Sequence, residues 1–238
     1  MKGLIVAIGF LTRLPVPRLS VSDADFTRSM RWFPAVGLIV GGLVAAAVRV
    51  GLMVDPWVAA LLALLVWVAV TGALHLDGLG DIADAVGAAH KGRDRLLAVL
   101  ADPHVGSFGA VVIGLQFVTK LVLIHAAAER GAYAALILVP FAARIGPLVW
   151  TRLPNLHNGL ASRFGYAVRR RDLFVWALLL LAAAWRVPGL IAAPALILLW
   201  AAWLRRRIGG ISGDGHGAGI ELVESGLLLA VTMVSGPA

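Results

Sequence analysis

The sequence predicts an all-α integral membrane protein: a polytopic bundle of about seven transmembrane helices, with short amphipathic helices on the cytoplasmic side. Three observations predict it. Of 238 residues, 60% are hydrophobic and only 14% charged, and the mean hydropathy is +0.90; soluble domains carry roughly 25% charged residues. Several apolar runs approach the length that crosses a bilayer. The Lys and Arg residues, finally, fall almost entirely on one side of the topology those runs define. The chain is read as a single polytopic domain, 1–238.

In chain order, residues 1–32 form an N-terminal arm on the cytoplasmic or interfacial side. Leu4 to Leu11 is too short to span, and Arg13, the Pro15/Pro17 break and Ser20–Asp25 return the chain to water. The start has one Lys, a short apolar run and no small-residue cleavage site, and is not read as a removed signal peptide. The first span is expected over Phe33–Val50, where Gly37 and Gly41 offer a close-packing face. The second runs over Trp57–Leu74, and a polar segment, 75–107, follows with a short amphipathic helix from Arg93 to Ala101. Further spans run from Phe108 to Ala128 and from Ala132 to Trp150, ahead of a basic loop, 151–172, that includes Arg163. Leu173–Leu204 would measure roughly 48 Å as one helix, more than a bilayer core of roughly 30 Å, so it is divided at Arg186-Val-Pro-Gly189 into two crossings. A glycine-rich loop within 205–219 leads to the last span, Ile220–Val234.

Seven crossings place the arm and the loops 75–107, 151–172 and 205–219 on one side. They hold 16 of the 21 Lys and Arg residues, whereas the opposite loops hold only Arg49, Arg130 and Arg186. The positive-inside rule makes the rich side cytoplasmic. The net charge of +8 then reflects topology and anionic lipid rather than nucleic acid. With no cysteine, disulfides, thiolate metal sites and cysteine nucleophiles are excluded.

The stretch His75–Ala85, HLDGLGDIADA, carries the strongest chemical signal. Asp77, Asp81 and Asp84 are spaced to share one helix face, where like charges repel and Asp itself is a poor helix former. A divalent cation accounts for the pattern, and an all-carboxylate set suits Mg²⁺, with Mn²⁺ as the alternative. His75 points off that face and is a candidate substrate contact. In Asp102-Pro-His-Val-Gly106-Ser-Phe-Gly109 two readings stand. Either Asp102 and Ser107 cap helices, or Asp102 joins the site and Gly106 lets phosphate approach the backbone. Asp214 lies in Ser-Gly-Asp-Gly-His-Gly, with Glu221 and Glu224 following at helical spacing. Lys120 and Arg144 sit inside apolar runs and must face the bundle interior. They either hold phosphate oxygens or pair with Glu221 and Glu224.

Four stretches resemble the cobalamin synthase family, the adenosylcobinamide-GDP ribazoletransferases: Phe10–Pro17 (FLTRLPVP), HLDGLGDIADA, the segment Asp102–Gly109, and Gly213-Asp214 with Gly217-Ala218. Ala85 departs from the pattern, since a Gly often follows the third Asp. The resemblance implies a bacterial inner-membrane transferase with its active site toward the cytoplasm. It would join α-ribazole, or its 5′-phosphate, to a GDP-linked cobinamide, releasing GMP. It also implies Mg²⁺ held by Asp77, Asp81 and Asp84 against the diphosphate, and Asp84 or Asp214 as general base. Substrate contacts would come from His75, Lys120, Arg144, Asp102, Gly106 and Glu221. A homo-oligomer is compatible with this reading. The rivals are a CDP-alcohol phosphotransferase, whose D-G-x-x-A-R pattern fails at Asp81 and Ile82, and a transporter, for which no internal repeat is visible.

Overall fold

The computed structural model describes residues 2–156 and 168–234. Residues 157–167, the centre of the expected basic loop with Arg163, lie outside the described residues. All regular structure described is helical, apart from one isolated bridge between Asn155 and Ile211.

Helix α1 (Lys2–Leu11) packs on α2 (Asp23–Ser29) and α3 (Phe33–Gly51). Phe10 meets the edge of Phe26 at 5.1 Å and stacks on Phe33 at 5.9 Å. Helix α2 opens with a capping box, in which Ser22 Oγ accepts from Asp25 N–H and Asp25 accepts from Ser22 N–H. It runs on through Met30–Trp32 into α3, so the first apolar helix is a continuous Asp23–Gly51. Gly37 and Gly41 of α3 lie against the backbone of α8 (Tyr133–Ala143) with no room for a Cβ, the close contact their spacing predicts.

Helix α4 (Pro56–Thr71) starts under an Asp55 cap and ends where Gly72 (φ 60°) and Ala73 (φ 58°) turn left-handed. Ala73 adopts this conformation at a cost of roughly 1 kcal/mol, because the chain must turn there. Helix α5 (Leu74–Ala88) leaves at 85° to α4. The N-terminal arm backs the corner, with Arg13 N–H donating to Val70 O at 2.7 Å. Helix α6 (Arg93–Leu100) is short, and α7 (Ser107–Glu129) is long and largely exposed. Helix α8 and α9 (Gly146–Trp150) form one apolar unit broken at Arg144 and Ile145, between Pro140 and Pro147. Helices α10 (Arg170–Arg186), α11 (Ala193–Arg207) and α12 (Gly213–Val234) complete the bundle.

Among the described residues, five helices are long and apolar enough to cross a membrane, or six if the bent α4–α5 pair counts as one span. The exact count of seven is not confirmed among the described residues, where α10 has 17 residues and α5 turns away from α4. The segments expected as loops are also shorter. Helix α11 continues to Arg207 and α12 begins at Gly213 rather than Ile220. Each glycine in a helix costs about 1 kcal/mol relative to Ala. Packing overrides that cost here, because α12 touches α5, α7, α8, α9 and α11. Outward-facing Val111, Leu115 and Val118 of α7, and Leu178, Leu181 and Trp185 of α10, remain exposed, as lipid-facing positions should. The chain is a multi-pass membrane protein.

Candidate active site

The site forms where α5 crosses the start of α12. Gly78 lies against Asp214, such that a Cβ there would come within 2.8 Å of Asp214 Cα. Gly217 packs against His75, where a Cβ would come within 3.2 Å of His75 Cα. Backbone-to-backbone contact of this kind needs glycine on both helices. It carries the acidic face of α5 to the acidic start of α12, across more than half of the sequence.

Asp81 is half-buried, and the charges of Asp214, Asp77 and Asp84 all bear on it. Asp77 is exposed at the mouth of a cavity that Asp214 also lines. Ser212 Oγ–H donates to Asp214 Oδ2 at 3.3 Å, fixing it at the first turn of α12. Asp84 faces the other way. Its Oδ2 accepts from Gly106 N–H at 2.7 Å and its Oδ1 from Gly109 N–H at 3.0 Å. The third aspartate thus caps α7 from a different helix, at an N-terminus where Ser107 makes no cap. Any Cβ at Gly106 or Gly109 would collide with this carboxylate, which is what the two glycines of that segment are for.

Asp84→Asn should therefore destabilise the protein by about 2 kcal/mol, because an amide turns an NH₂ toward one of two N–H donors. Unfolding in mixed detergent micelles measures it; unchanged stability would remove Asp84 from the α7 cap.

Asp102 does not share this cluster. It is exposed and accepts from His104 N–H at 3.0 Å and from the His104 imidazole at 2.7 Å, which holds its carboxyl below the usual range. The helix-capping reading is not met, since neither Asp102 nor Ser107 caps α7; Asp102 instead closes a local turn on His104.

Lys120, Arg144 and Glu221 lie deeper, in a sealed network. Lys120 Nζ bridges Glu221 at 2.8 Å and Glu224 at 2.6 Å and sits 4.2 Å over the Trp67 ring. Arg144 Nη1 donates to Glu224 at 2.8 Å and to Pro140 O at 3.0 Å. Gln116 Nε2 donates to Glu221 and to Ser225. Two cations face two carboxylates, all nearly inaccessible. Pairing, the second of the two sequence alternatives, is what the geometry displays for Lys120 and Arg144. Gln116, Trp67 and His216 were not singled out in the sequence, since a lone Gln or Trp in an apolar run carries no spacing signal. His75, at the start of α5, is buried within reach of the charges of Arg144 and Lys120.

A second cavity of about 980 Å³ opens between α5, α7, α11 and α12, walled by Phe108, Trp200 and Trp203 with Arg206 and Arg207 at its rim. Among the described residues no acidic side chain lines it, whereas Asp77 and Asp214 line the smaller cavity.

The model of the family described as cobalamin-5-phosphate synthase matches residues 3–232. The chain belongs to this family. Among curated members, the adenosylcobinamide-GDP ribazoletransferase of Novosphingobium aromaticivorans is 61% identical, covering 98% of this chain and 97% of the relative. Those of Laribacter hongkongensis and Brevibacillus brevis are 50% and 36% identical over 99% and 97% of this chain, and 98% of each relative. No solved structure matches. The coverage of these relatives takes in the segments that form α5 and α12 in this chain.

Proposed function

We propose that this chain is an adenosylcobinamide-GDP ribazoletransferase. It joins α-ribazole or its 5′-phosphate to the phosphorus next to the cobinamide in a GDP-activated donor, and GMP leaves. The observation that carries the reading is the meeting of Asp77 and Asp81 with Asp214 across the α5–α12 glycine contact, in a chain 61% identical to a relative of that name. Positive-inside bias puts this end of the bundle toward the cytoplasm of a bacterial inner membrane, where both substrates would be met.

The residues fit a divalent cation of a particular kind. Among the described residues no three His, Cys, Asp or Glu side chains converge tightly enough to hold one unaided. Mg²⁺ commonly takes only one or two protein carboxylates and completes its shell with water and substrate phosphates. Asp77 and Asp81 would hold it in that way, and the mutual repulsion around Asp81 is the feature a cation offsets. When bound, Mg²⁺ would neutralise charge on the diphosphate. Asp84, with both oxygens on backbone N–H groups, serves the α7 terminus. Asp214, on the cavity that Asp77 also lines, then takes the proton of the attacking hydroxyl.

The test follows GMP release from GDP-linked cobinamide with and without α-ribazole. Release should depend on the acceptor, stop on chelation and return with Mg²⁺. Mn²⁺ binding followed by electron paramagnetic resonance should tighten at least about tenfold when the donor is present. Acceptor-independent release, or equal Mn²⁺ affinity with and without donor, would refute the shared metal site.

A further inference from the structure

The cavity behind Asp77 and Asp214 measures about 220 Å³. Pockets for whole drug-sized ligands run to roughly 300–1,000 Å³. This one therefore holds part of a ligand, and the corrin macrocycle of the donor is far too large for it. Its walls are apolar and partly aromatic: Phe10 and Leu11 from α1, Met30 ahead of α3, and Phe33 of α3, with Phe10 and Phe33 stacked. Into this apolar space project two imidazoles, His75 of α5 and His216 of α12. They are 2% and 8% exposed, and among the described residues neither ring has a hydrogen-bond partner for either nitrogen. A buried polar group left without a partner is a standing cost, and a ligand atom that supplies the missing bond recovers it. The arrangement calls for a flat aromatic heterocycle with one or two ring nitrogens, attached to something hydroxylated that emerges at Asp77 and Asp214.

Resting on the function proposed above, we infer that this cavity seats the heterocyclic base of the ribazole acceptor, with the imidazole of His75 or of His216 as its polar partner. The base of α-ribazole is bicyclic and largely apolar, with one ring nitrogen bonded to the ribose and the other bearing a free lone pair. An imidazole N–H donates to that lone pair. The apolar walls cover the rings, and the ribose extends toward the mouth, bringing to Asp214 a ring hydroxyl that stays free whether or not the 5′-oxygen carries phosphate. Acceptor and donor then approach the carboxylates from different sides, as an in-line displacement requires. The amino-terminal helix α1 thereby becomes part of the acceptor site, which gives Phe10 and Leu11 in the FLTRLPVP segment a chemical role.

The purified full-length protein in detergent is titrated with α-ribazole alone, with the free base alone, and, in a separate kinetic series, with the GDP-linked donor. Wild-type protein should bind α-ribazole and the free base competitively. His75→Phe or His216→Phe, whichever residue makes the bond, should weaken α-ribazole at least about tenfold, with the donor KM staying within about twofold. The corresponding Gln variant, which keeps an N–H donor, should recover most of the loss. Met30→Trp, which fills the cavity, should weaken the acceptor further and leave the donor KM alone. Thermal unfolding of each variant separates misfolding from lost binding. If folded His75→Phe, His216→Phe and Met30→Trp proteins all bind α-ribazole within twofold of wild type, the cavity is not the base site, although the transferase reading survives through wild-type turnover. If wild-type protein neither binds α-ribazole nor releases GMP with it, both readings fall together.

Discussion

Asp81→Asn is expected to lower the rate of GMP release about a thousandfold or more, without harming the fold. The carboxylate stands at the centre of the charge cluster, with Asp77, Asp84 and Asp214 all bearing on it. Electrostatic stabilisation of developing charge is commonly worth about 2.7–4 kcal/mol per group, which is two to three orders of magnitude in rate. Removing Asp81 also relieves repulsion that the unliganded protein carries with nothing to show for it in stability. The variant should therefore unfold no more readily than wild type, and it should bind Mn²⁺ in the presence of donor at least about tenfold more weakly. A folded Asp81→Asn protein with wild-type Mg²⁺-dependent turnover would remove Asp81 from the metal site. Loss of activity together with loss of stability would instead mark Asp81 as structural.

Glu224→Gln should produce the opposite pattern, a large loss of stability. Glu224 is inaccessible, and its two oxygens separately take Arg144 and Lys120. An amide in its place turns an NH₂ toward one cation and leaves the other without its charge partner. Breaking a buried ion pair by removing one member typically costs 3–5 kcal/mol. The protein should unfold at distinctly lower denaturant in mixed micelles, and yield in membranes should drop. Lys120→Met combined with Glu224→Gln should cost less than the two changes summed, since the pair is removed together. If instead Glu224→Gln and Lys120→Met proteins were as stable as wild type but bound the donor poorly, the network would be a phosphate-binding site held in reserve.

Much of the fold and the main cluster were legible in the sequence, and the rest was hidden for identifiable reasons. Hydropathy located α3, α7 and the α8–α9 unit within a few residues, because a long apolar run has few alternatives to a membrane helix. It missed the 85° corner after α4, since that turn rests on two left-handed residues, one of them an alanine. It also placed the start of α12 too late. Alternating glycines read as a loop until the neighbours that exclude side chains there are known. The aspartate spacing pointed to one shared face, while Asp214 received a role only through the resemblance to the family. What spacing could not show is that Asp84 turns to α7, and that Lys120 and Arg144 are consumed by Glu221 and Glu224. Those are choices of tertiary partner between residues 22 to 104 positions apart.

The neutral network also bears on how the protein is made. Lys120 and Arg144 are synthesised long before the two glutamates, which lie on α12, some 80 to 104 positions later. A lone cation at the middle of a membrane helix costs roughly 2.5–3.5 kcal/mol on the insertion scale, so Lys120 within α7, and Arg144 at the break after α8, carry uncompensated charge until α12 arrives. Only the arrival of α12 discharges both. That same helix delivers Asp214 to α5, so completion of the membrane bundle and completion of the reactive centre are one event in the life of the nascent chain. A polypeptide halted before α12 has neither, and the cell's quality-control proteases would meet it as two stranded charges rather than as an idle enzyme.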